Sequence, residues 1–379
     1  MTRFAVIETE NTAPLIAAMG SDCDVLKVEA TGAIQALDAL TYIAERNAMR
    51  RAIRYPKFFG NAFIKSAYKL IYKRKISRQY GALYSQLAAD TSRTALIFNG
   101  FLAPNALVDL AAQSLGMNCL YVENGFFPGT LQADRSGING LSSLPRDAAF
   151  YDALSETNAG HDWPADFEVR QSKLQEKEAD GALPERYVFV PFQVPSDMQI
   201  LALSPWIDDM KALYAQIHEL ASANPSQHFV IKEHPSFPLS IQGQVQTLPN
   251  IHFANHAVTR DLLDKSDAVV TVNSTVGLEA LVLGKKVITL GNAHYAIDGL
   301  VLQADDSAML HSKFAMLYNW TPDAERREKF IRFVFNRFLI PGDRKAPTNE
   351  TVLALTARAL GQDAYSKLIA GQSNVTSSH

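Results

Sequence analysis

The chain has 379 residues, of which 47% are hydrophobic and 20% charged, and its formal net charge is −3. That length carries two domains with their own cores, and the charge balance gives no global signal for nucleic acid. The two cysteines, Cys23 and Cys119, exclude a disulfide framework and point to a reducing compartment. No clustered Cys/His spacing suggests structural zinc, and no run of about 18 apolar residues suggests a membrane span. Glu8 and Glu10 stand where a signal peptide needs an apolar run, which argues against export and for a cytoplasmic protein.

In chain order, residues 3–8 and 24–28 predict short strands with a helix over 12–19 between them, the start of an α/β domain. Asp22-Cys23-Asp24 matches the Asp-x-Asp pattern of metal-dependent sugar transfer, but so short a match reads better as loop solvation. Residues 50–78 hold ten Lys or Arg and no acid, interleaved with Tyr55, Phe58, Phe59, Phe63, Ile64, Tyr68, Leu70, Ile71 and Tyr72. Such a segment suits an anionic membrane surface, where each cation contributes about 1 kcal/mol. A solvated helix whose aromatics face the core is the plainer reading, and an anionic glycan is a further one. Nucleic acid is weaker, since the rest of the chain is net acidic.

Residues 94–99 predict a strand, 104–115 a helix and 119–122 another strand. A dense polar loop follows over 123–139, at the carboxyl end of a strand where open α/β sheets place ligands. Glu123 leads that loop and could act as a general base or cap a turn. Between residues 151 and 185 the composition turns polar, and 174–184 reads as the inter-domain linker. A second domain then opens on the strand 187–191, with Gln193 and Asp197 in the loop after it. A helix over 205–223 leads to a strand over 229–232 that ends in Lys232-Glu233-His234-Pro235. A short strand at 251–253 and a helix around 259–264 precede a strand–helix–strand unit over 267–291. There Asn273-Ser274-Thr275 forms a polar corner at the mouth of a helix closed by Gly284. Ser274 and Thr275 either cap that helix or mark an anion site at its positive end. Polar residues thus recur after successive strands, and parallel neighbours would bring them to one crevice. A basic helix over 321–337 is broken by Pro341-Gly342, a last helix spans 349–360, and the tail 371–379 reads as frayed.

These residues also carry a resemblance. Glu123-Asn124-Gly125 with Pro128-Gly129-Thr130, Gln132, Asp134, Gly137 and Asn139 comes first. Lys232-Glu233-His234-Pro235 and Asn273-Ser274-Thr275-Val276-Gly277-Leu278-Glu279-Ala280-Leu281 follow in order. Together they resemble the capsule-polysaccharide-synthesis family of bacterial retaining β-Kdo glycosyltransferases (Kdo is 3-deoxy-D-manno-oct-2-ulosonic acid), in a single module of capsule or O-antigen type. The resemblance covers about residues 95 to 300. It implies a GT-B-like α/β fold of two Rossmann-type domains facing a central cleft, with C-terminal helices crossing back. The division expected is 1–180 for an acceptor-side domain with the basic insertion 50–78, 185–335 for a CMP-sugar domain, 336–370 for the returning helices and 371–379 for a disordered tail.

The resemblance further implies transfer of Kdo from CMP-Kdo to a glycan or glycolipid acceptor, in capsule or lipopolysaccharide O-antigen synthesis. The donor brings a phosphodiester and a carboxylate, for which the Ser274/Thr275 helix mouth and Lys232 with His234 are two anion-holding features. Gln193, Asn273, Gly277 and Glu279 complete the expected donor site, Glu279 as a structural or ribose-binding residue. Asn124, Gln132, Asp134 and Asn139 form the expected acceptor or cleft loop. Retention by double displacement needs a nucleophile and an acid/base. By resemblance these are Asp197 and Glu123, with Asp134 as runner-up and His234 as hydrogen-bond donor to the leaving phosphate. A phosphate leaving group is already stable, so no metal or other cofactor is expected. The other readings are a different CMP- or UDP-sugar transferase, such as a sialyltransferase, and a catalytically silent glycolipid-binding export module. Nucleic acid is not an expected partner, and contact with the inner membrane would be peripheral, through 50–78.

Overall fold

The computed structural model describes residues 3–164, 182–237 and 239–376. The chain divides into two compact units, Met1–Pro145 with Phe333–His379, and Arg146–Arg332. Each is built on one six-stranded sheet.

In the first unit, β1 (Phe4–Ile7), β2 (Cys23–Leu26), β3 (Thr94–Phe98) and β4 (Cys119–Asn124) are parallel. Every residue of β1 and β3 is buried, as the continuous apolar runs of a parallel sheet covered on both faces require. β5 (Thr130–Asp134) then turns back antiparallel to β4, and a return strand, Ile340–Pro341, pairs antiparallel with β5. The sheet order is return strand, β5, β4, β3, β1, β2. The expected polar loop over 123–139 is therefore largely a hairpin. Its turn needs Gly125, because a Cβ there would lie 1.9 Å from Thr130 Oγ1.

The C-terminal segment belongs to this first unit, as the crossing back predicted. Arg358 anchors it: Nε donates to Asp363 at 2.6 Å, and the terminal nitrogens donate to the carbonyls of Ala133, Phe338 and Arg337. The basic helix spans Ala324–Phe333 and continues as a π-helical turn, Val334–Phe338, into the return strand. The last helix, Ala364–Thr376, runs through much of the segment expected to fray; residues 377–379 lie outside the described ones.

In the second unit, β6 (Val188–Pro191), β7 (Phe229–Lys232), β8 (Ile251–Phe253), β9 (Ala268–Thr271), β10 (Lys286–Thr289) and β11 (Leu302–Gln303) are all parallel. Their order, β11-β10-β9-β6-β7-β8, is that of the doubly wound nucleotide-binding fold, with the switch point between β6 and β9. The helix Thr275–Val282 closes as expected at Gly284. That residue has φ +72°, its N–H donates to the Leu281 carbonyl at 3.0 Å, and the Lys285 N–H donates to Ala280 at 2.8 Å. The helix expected from residue 205 begins at Met210, where the Asp209 side chain accepts from two backbone N–H groups.

The division falls earlier than expected. Residues 165–181, most of the expected linker 174–184, lie outside the described ones. Residues 146–164, expected in the first domain, pack in the second unit. Asp152 there accepts from Arg326 Nε and Nη2, both at 2.8 Å, and the Tyr151 ring meets Phe330 at 5.3 Å. No described helix is long and apolar enough to cross a membrane.

Candidate functional site

The carboxyl edge of the second unit's sheet carries most of the polar residues singled out. Pro191 is in register with Lys232, and Val188 with Ala268, so β7, β6 and β9 end side by side. Asp197 leaves the middle strand, His234 leaves β7, and Asn273-Ser274-Thr275 leaves β9. Asp197 is exposed and caps the short helix Met198–Leu201, accepting from the Gln199 N–H at 2.9 Å.

Across the switch point the loops are clamped together. Gln193 Nε2 donates to Asn273 Oδ1 at 2.8 Å, and the Asn273 N–H donates to Gln193 Oε1 at 3.2 Å. Asn273 Nδ2 donates in turn to the carbonyls of Gln199 at 2.8 Å and Leu203 at 3.1 Å. Both side chains are buried. These two residues, expected at the donor, spend their amides holding the β6 and β9 loops in place. That positions Asp197 and Ser274 rather than leaving either amide to reach a ligand.

Ser274 caps its helix, its Oγ accepting from the Val276 N–H at 3.2 Å, while Thr275 beside it is exposed. Tyr295, fully buried, donates from its hydroxyl to the Ser274 carbonyl at 2.5 Å. Burial, and secondarily Glu279, push that phenol far above its ordinary range, so it stays a donor. Gly277 is explained by this contact, since a Cβ there would lie 2.1 Å from the Tyr295 oxygen. Glu279 is a buried residue of the same helix. His294, packed edge-on to Tyr295 at 5.0 Å, has its pKa held well below 6.5 by burial and by Arg146.

The two residues on the β7 side divide their roles. Lys232 is buried, and its ammonium donates to the carbonyls of Asn255 and Ala257, which ties down the loop after β8. His234 is exposed. The Ser236 N–H donates to its Nδ1 at 3.2 Å, which places the proton of the neutral imidazole on Nε2. Glu233 organises this loop: it accepts from the Ile241 N–H at 2.6 Å, from Asn255 Nδ2 at 2.9 Å and from the Ser240 hydroxyl.

In the first unit, Glu123 lies at the carboxyl end of β4. Three N–H donors hold its carboxylate: Asn99 Nδ2 at 2.9 Å, the Asn124 N–H at 2.8 Å and Asn124 Nδ2 at 3.0 Å. Asn99 sits at φ +67°, a conformation that few side chains adopt and that clusters at functional sites. The Asn139 N–H donates to Gln132 Oε1 at 2.9 Å, and Gln132 Nε2 donates to Asn139 Oδ1 at 3.0 Å and to the Asn124 carbonyl at 2.9 Å. Arg344, arriving with the C-terminal return, donates from Nε to Asn124 Oδ1 at 3.1 Å and from Nη1 to the Asn11 carbonyl at 3.1 Å.

Asp134 does not join Glu123. Because β5 runs antiparallel, Asp134 pairs with Tyr121 toward the amino end of β4, while Gln132 pairs with Glu123. It is fully buried and caps its own turn, accepting from the N–H groups of Ser136 at 2.7 Å and Gly137 at 3.2 Å. The runner-up role for Asp134 is thus withdrawn. The Asp-x-Asp pattern also sits at an amino edge, with Asp24 paired to Arg3 and Arg93. Among the described residues no group of three or more His, Cys, Asp or Glu could hold a metal ion.

Sequence reasoning missed Asn99, Tyr295 and Arg344, and gave Glu233 no role of its own within its motif. The Asn99-Gly100 dipeptide after a strand was the one available signal. Tyr295 and Arg344 act through partners distant in sequence, and Glu233 through the loop residues Ser240 and Ile241 and through Asn255.

A family model described as capsule polysaccharide biosynthesis protein matches residues 165–344. Protein FixF of Sinorhizobium fredii is 40% identical over 321 residues, covering 84% of this chain and 77% of FixF. The capsule polysaccharide export protein KpsS of Escherichia coli is 24% identical over 254 residues, 51% of this chain and 65% of KpsS. Among solved structures, the Thermosulfurimonas dismutans KpsC β-Kdo 2,7 transferase aligns with a TM-score of 0.45 at 17% identity, covering 66% of this chain and 79% of that one.

Proposed function

Because the chain belongs to the capsule polysaccharide biosynthesis family, we propose that it is a retaining β-Kdo glycosyltransferase. It takes Kdo from CMP-Kdo and passes it to a glycan or glycolipid in capsule or O-antigen synthesis. The observation that carries this reading is the carboxyl edge of β7-β6-β9. There an exposed carboxylate stands on the central loop, with a histidine on one neighbouring loop and a helix mouth on the other. A nucleotide-binding sheet of this order takes its ligand at that switch point.

The Asp197 carboxylate attacks the anomeric C2 of Kdo, and the bond to the CMP oxygen breaks with its electron pair leaving on the phosphate. His234 Nε2–H donates to that phosphate, and the Ser274/Thr275 helix mouth stabilises its charge. Lys232 adds a positive charge beneath the loop while its ammonium holds backbone carbonyls. Glu123 then takes the proton of the acceptor hydroxyl, whose oxygen attacks C2 and releases Asp197. Two inversions leave the β configuration. The phosphate leaves without a metal, so chelation should not change the rate. In this reading the transfer runs at the cytoplasmic face of the inner membrane.

The test is a product assay with CMP-Kdo generated in situ. Asp197→Asn should abolish transfer while CMP still raises the thermal midpoint. Normal turnover by that variant removes Asp197 from the mechanism. Stabilisation by UDP in place of CMP, or product from CMP-sialic acid alone, supports a different sugar-nucleotide enzyme.

A further inference from the structure

The basic segment 50–78 is the tip of a helical hairpin in the first unit. Helix Asp38–Arg54 leads through the short helix Pro56–Phe59 into helix Ala62–Ala88. The root is fixed: Ile76, Leu83 and Leu87 are fully buried, and Ser77 Oγ both accepts from the Gln35 N–H at 2.6 Å and donates to its carbonyl at 2.8 Å. Gly32 and Gly81 let the backbones touch there, since a Cβ on Gly32 would lie 2.4 Å from the Ala82 nitrogen.

The inner face of the hairpin is self-satisfied. Tyr68 and Tyr72 stack at 5.2 Å, Phe59 meets Tyr68 edge-on at 5.2 Å, and the Arg51 guanidinium lies 5.1 Å from the Tyr68 ring. Lys69 pairs with Glu45. So part of the aromatic set does face inward, as the plainer reading expected.

The outer face is different. Phe63 is 81% exposed, Ile71 69%, Leu70 62% and Phe58 58%. Helical spacing puts Phe63, Leu70, Ile71, Arg74 and Arg78 on one side of the long helix, with the exposed Lys75 next to them, and Lys57 is exposed on the short helix before it. An apolar stripe bordered by long cations and free of acids is the pattern of an interfacial helix. A second copy docking through this face by two-fold symmetry would set its Lys and Arg side chains, with no acid of 50–78 between them, against themselves. Phosphates of a nucleic acid would leave Leu70 and Ile71 in water. An anionic bilayer satisfies both features at once.

We propose that this hairpin tip docks on an anionic lipid bilayer, with Phe58, Phe63, Leu70 and Ile71 in the acyl boundary and the surrounding Lys and Arg at the headgroups. The inference goes beyond the transfer reaction and uses none of its donor chemistry, so the two readings fail separately.

The test is co-sedimentation of the full chain with phosphatidylcholine vesicles, with and without phosphatidylglycerol. Binding should need the anionic lipid and weaken with salt. The exposed-face variant Phe63→Ser/Leu70→Ser/Ile71→Ser should lower partitioning by about tenfold or more. Arg74→Gln and Arg78→Gln should each lower it about fivefold. In Phe63→Trp, the added emission should shift to the blue on vesicles and be quenched by brominated acyl chains. Equal binding to neutral vesicles, or a triple variant that binds like wild type, overturns the proposal. A dimer that the triple variant converts to monomer assigns the face to a second copy and overturns it too.

Discussion

Replacing Gly277 with alanine probes the packing that holds the candidate anion site. An added Cβ would lie 2.1 Å from the Tyr295 oxygen and 2.6 Å from its Cζ. The tyrosine is fully buried and its hydroxyl is engaged with the Ser274 carbonyl, so the ring cannot swing into solvent. Overpacking of this kind costs about 1–3 kcal/mol, and a displaced hydroxyl loses a hydrogen bond of about 1 kcal/mol. Alanine recovers about 1 kcal/mol of helix propensity, which leaves a net loss of about 2 kcal/mol. For a unit the size of Arg146–Arg332 that lowers the thermal midpoint by about 4–8 °C. Differential scanning calorimetry reads it, and Tyr295→Phe in the same chain should return part of the loss by removing the clashing oxygen. A Gly277→Ala protein as stable as wild type, or more so, would refute the claim that Tyr295 dictates glycine there.

Three further outcomes follow from the same contacts. Gln193→Ala strands the Asn273 amide and should cost about 2 kcal/mol in urea unfolding, with CMP affinity falling alongside; unchanged CMP titration would mean the clamp does not shape the site. Arg344→Ala removes the brace on Asn124 and so loosens Glu123. It should lower kcat about tenfold, or about 1.4 kcal/mol, at unchanged CMP affinity, and a drop in CMP affinity instead would count against this assignment. His294 is held neutral in the folded unit by burial and Arg146, whereas the unfolded chain protonates it near its ordinary value. The folded state therefore binds fewer protons below about pH 6.5, and stability falls there by up to about 1.4 kcal/mol per pH unit. His294→Gln should flatten that slope in denaturant titrations, and an identical slope would remove His294 as its source.

The parallel strands were legible because their apolar runs are continuous; the strand expected at 229–232 appears as Phe229–Lys232, and that at 251–253 as Ile251–Phe253. The corner at Ser274 was legible because helix capping is local. What pairs across the chain was not. Nothing local shows that Gln193 and Asn273 would bind each other across 80 residues, or that Arg344 would return to Asn124 across 220. Asp134 was misread for a related reason: Thr130–Asp134 is short and polar enough to pass for loop, and only its antiparallel pairing carries the carboxylate away from Glu123. The early unit boundary rests on Asp152 with Arg326, a pair 174 residues apart.

The most direct measurement is peptide mass spectrometry of the Glu123→Gln protein after incubation with CMP-Kdo and an acid quench. Slowing the second displacement should accumulate a Kdo ester on the peptide that contains Asp197. An unmodified Asp197 peptide, found together with full turnover by Asp197→Asn, would contradict the account.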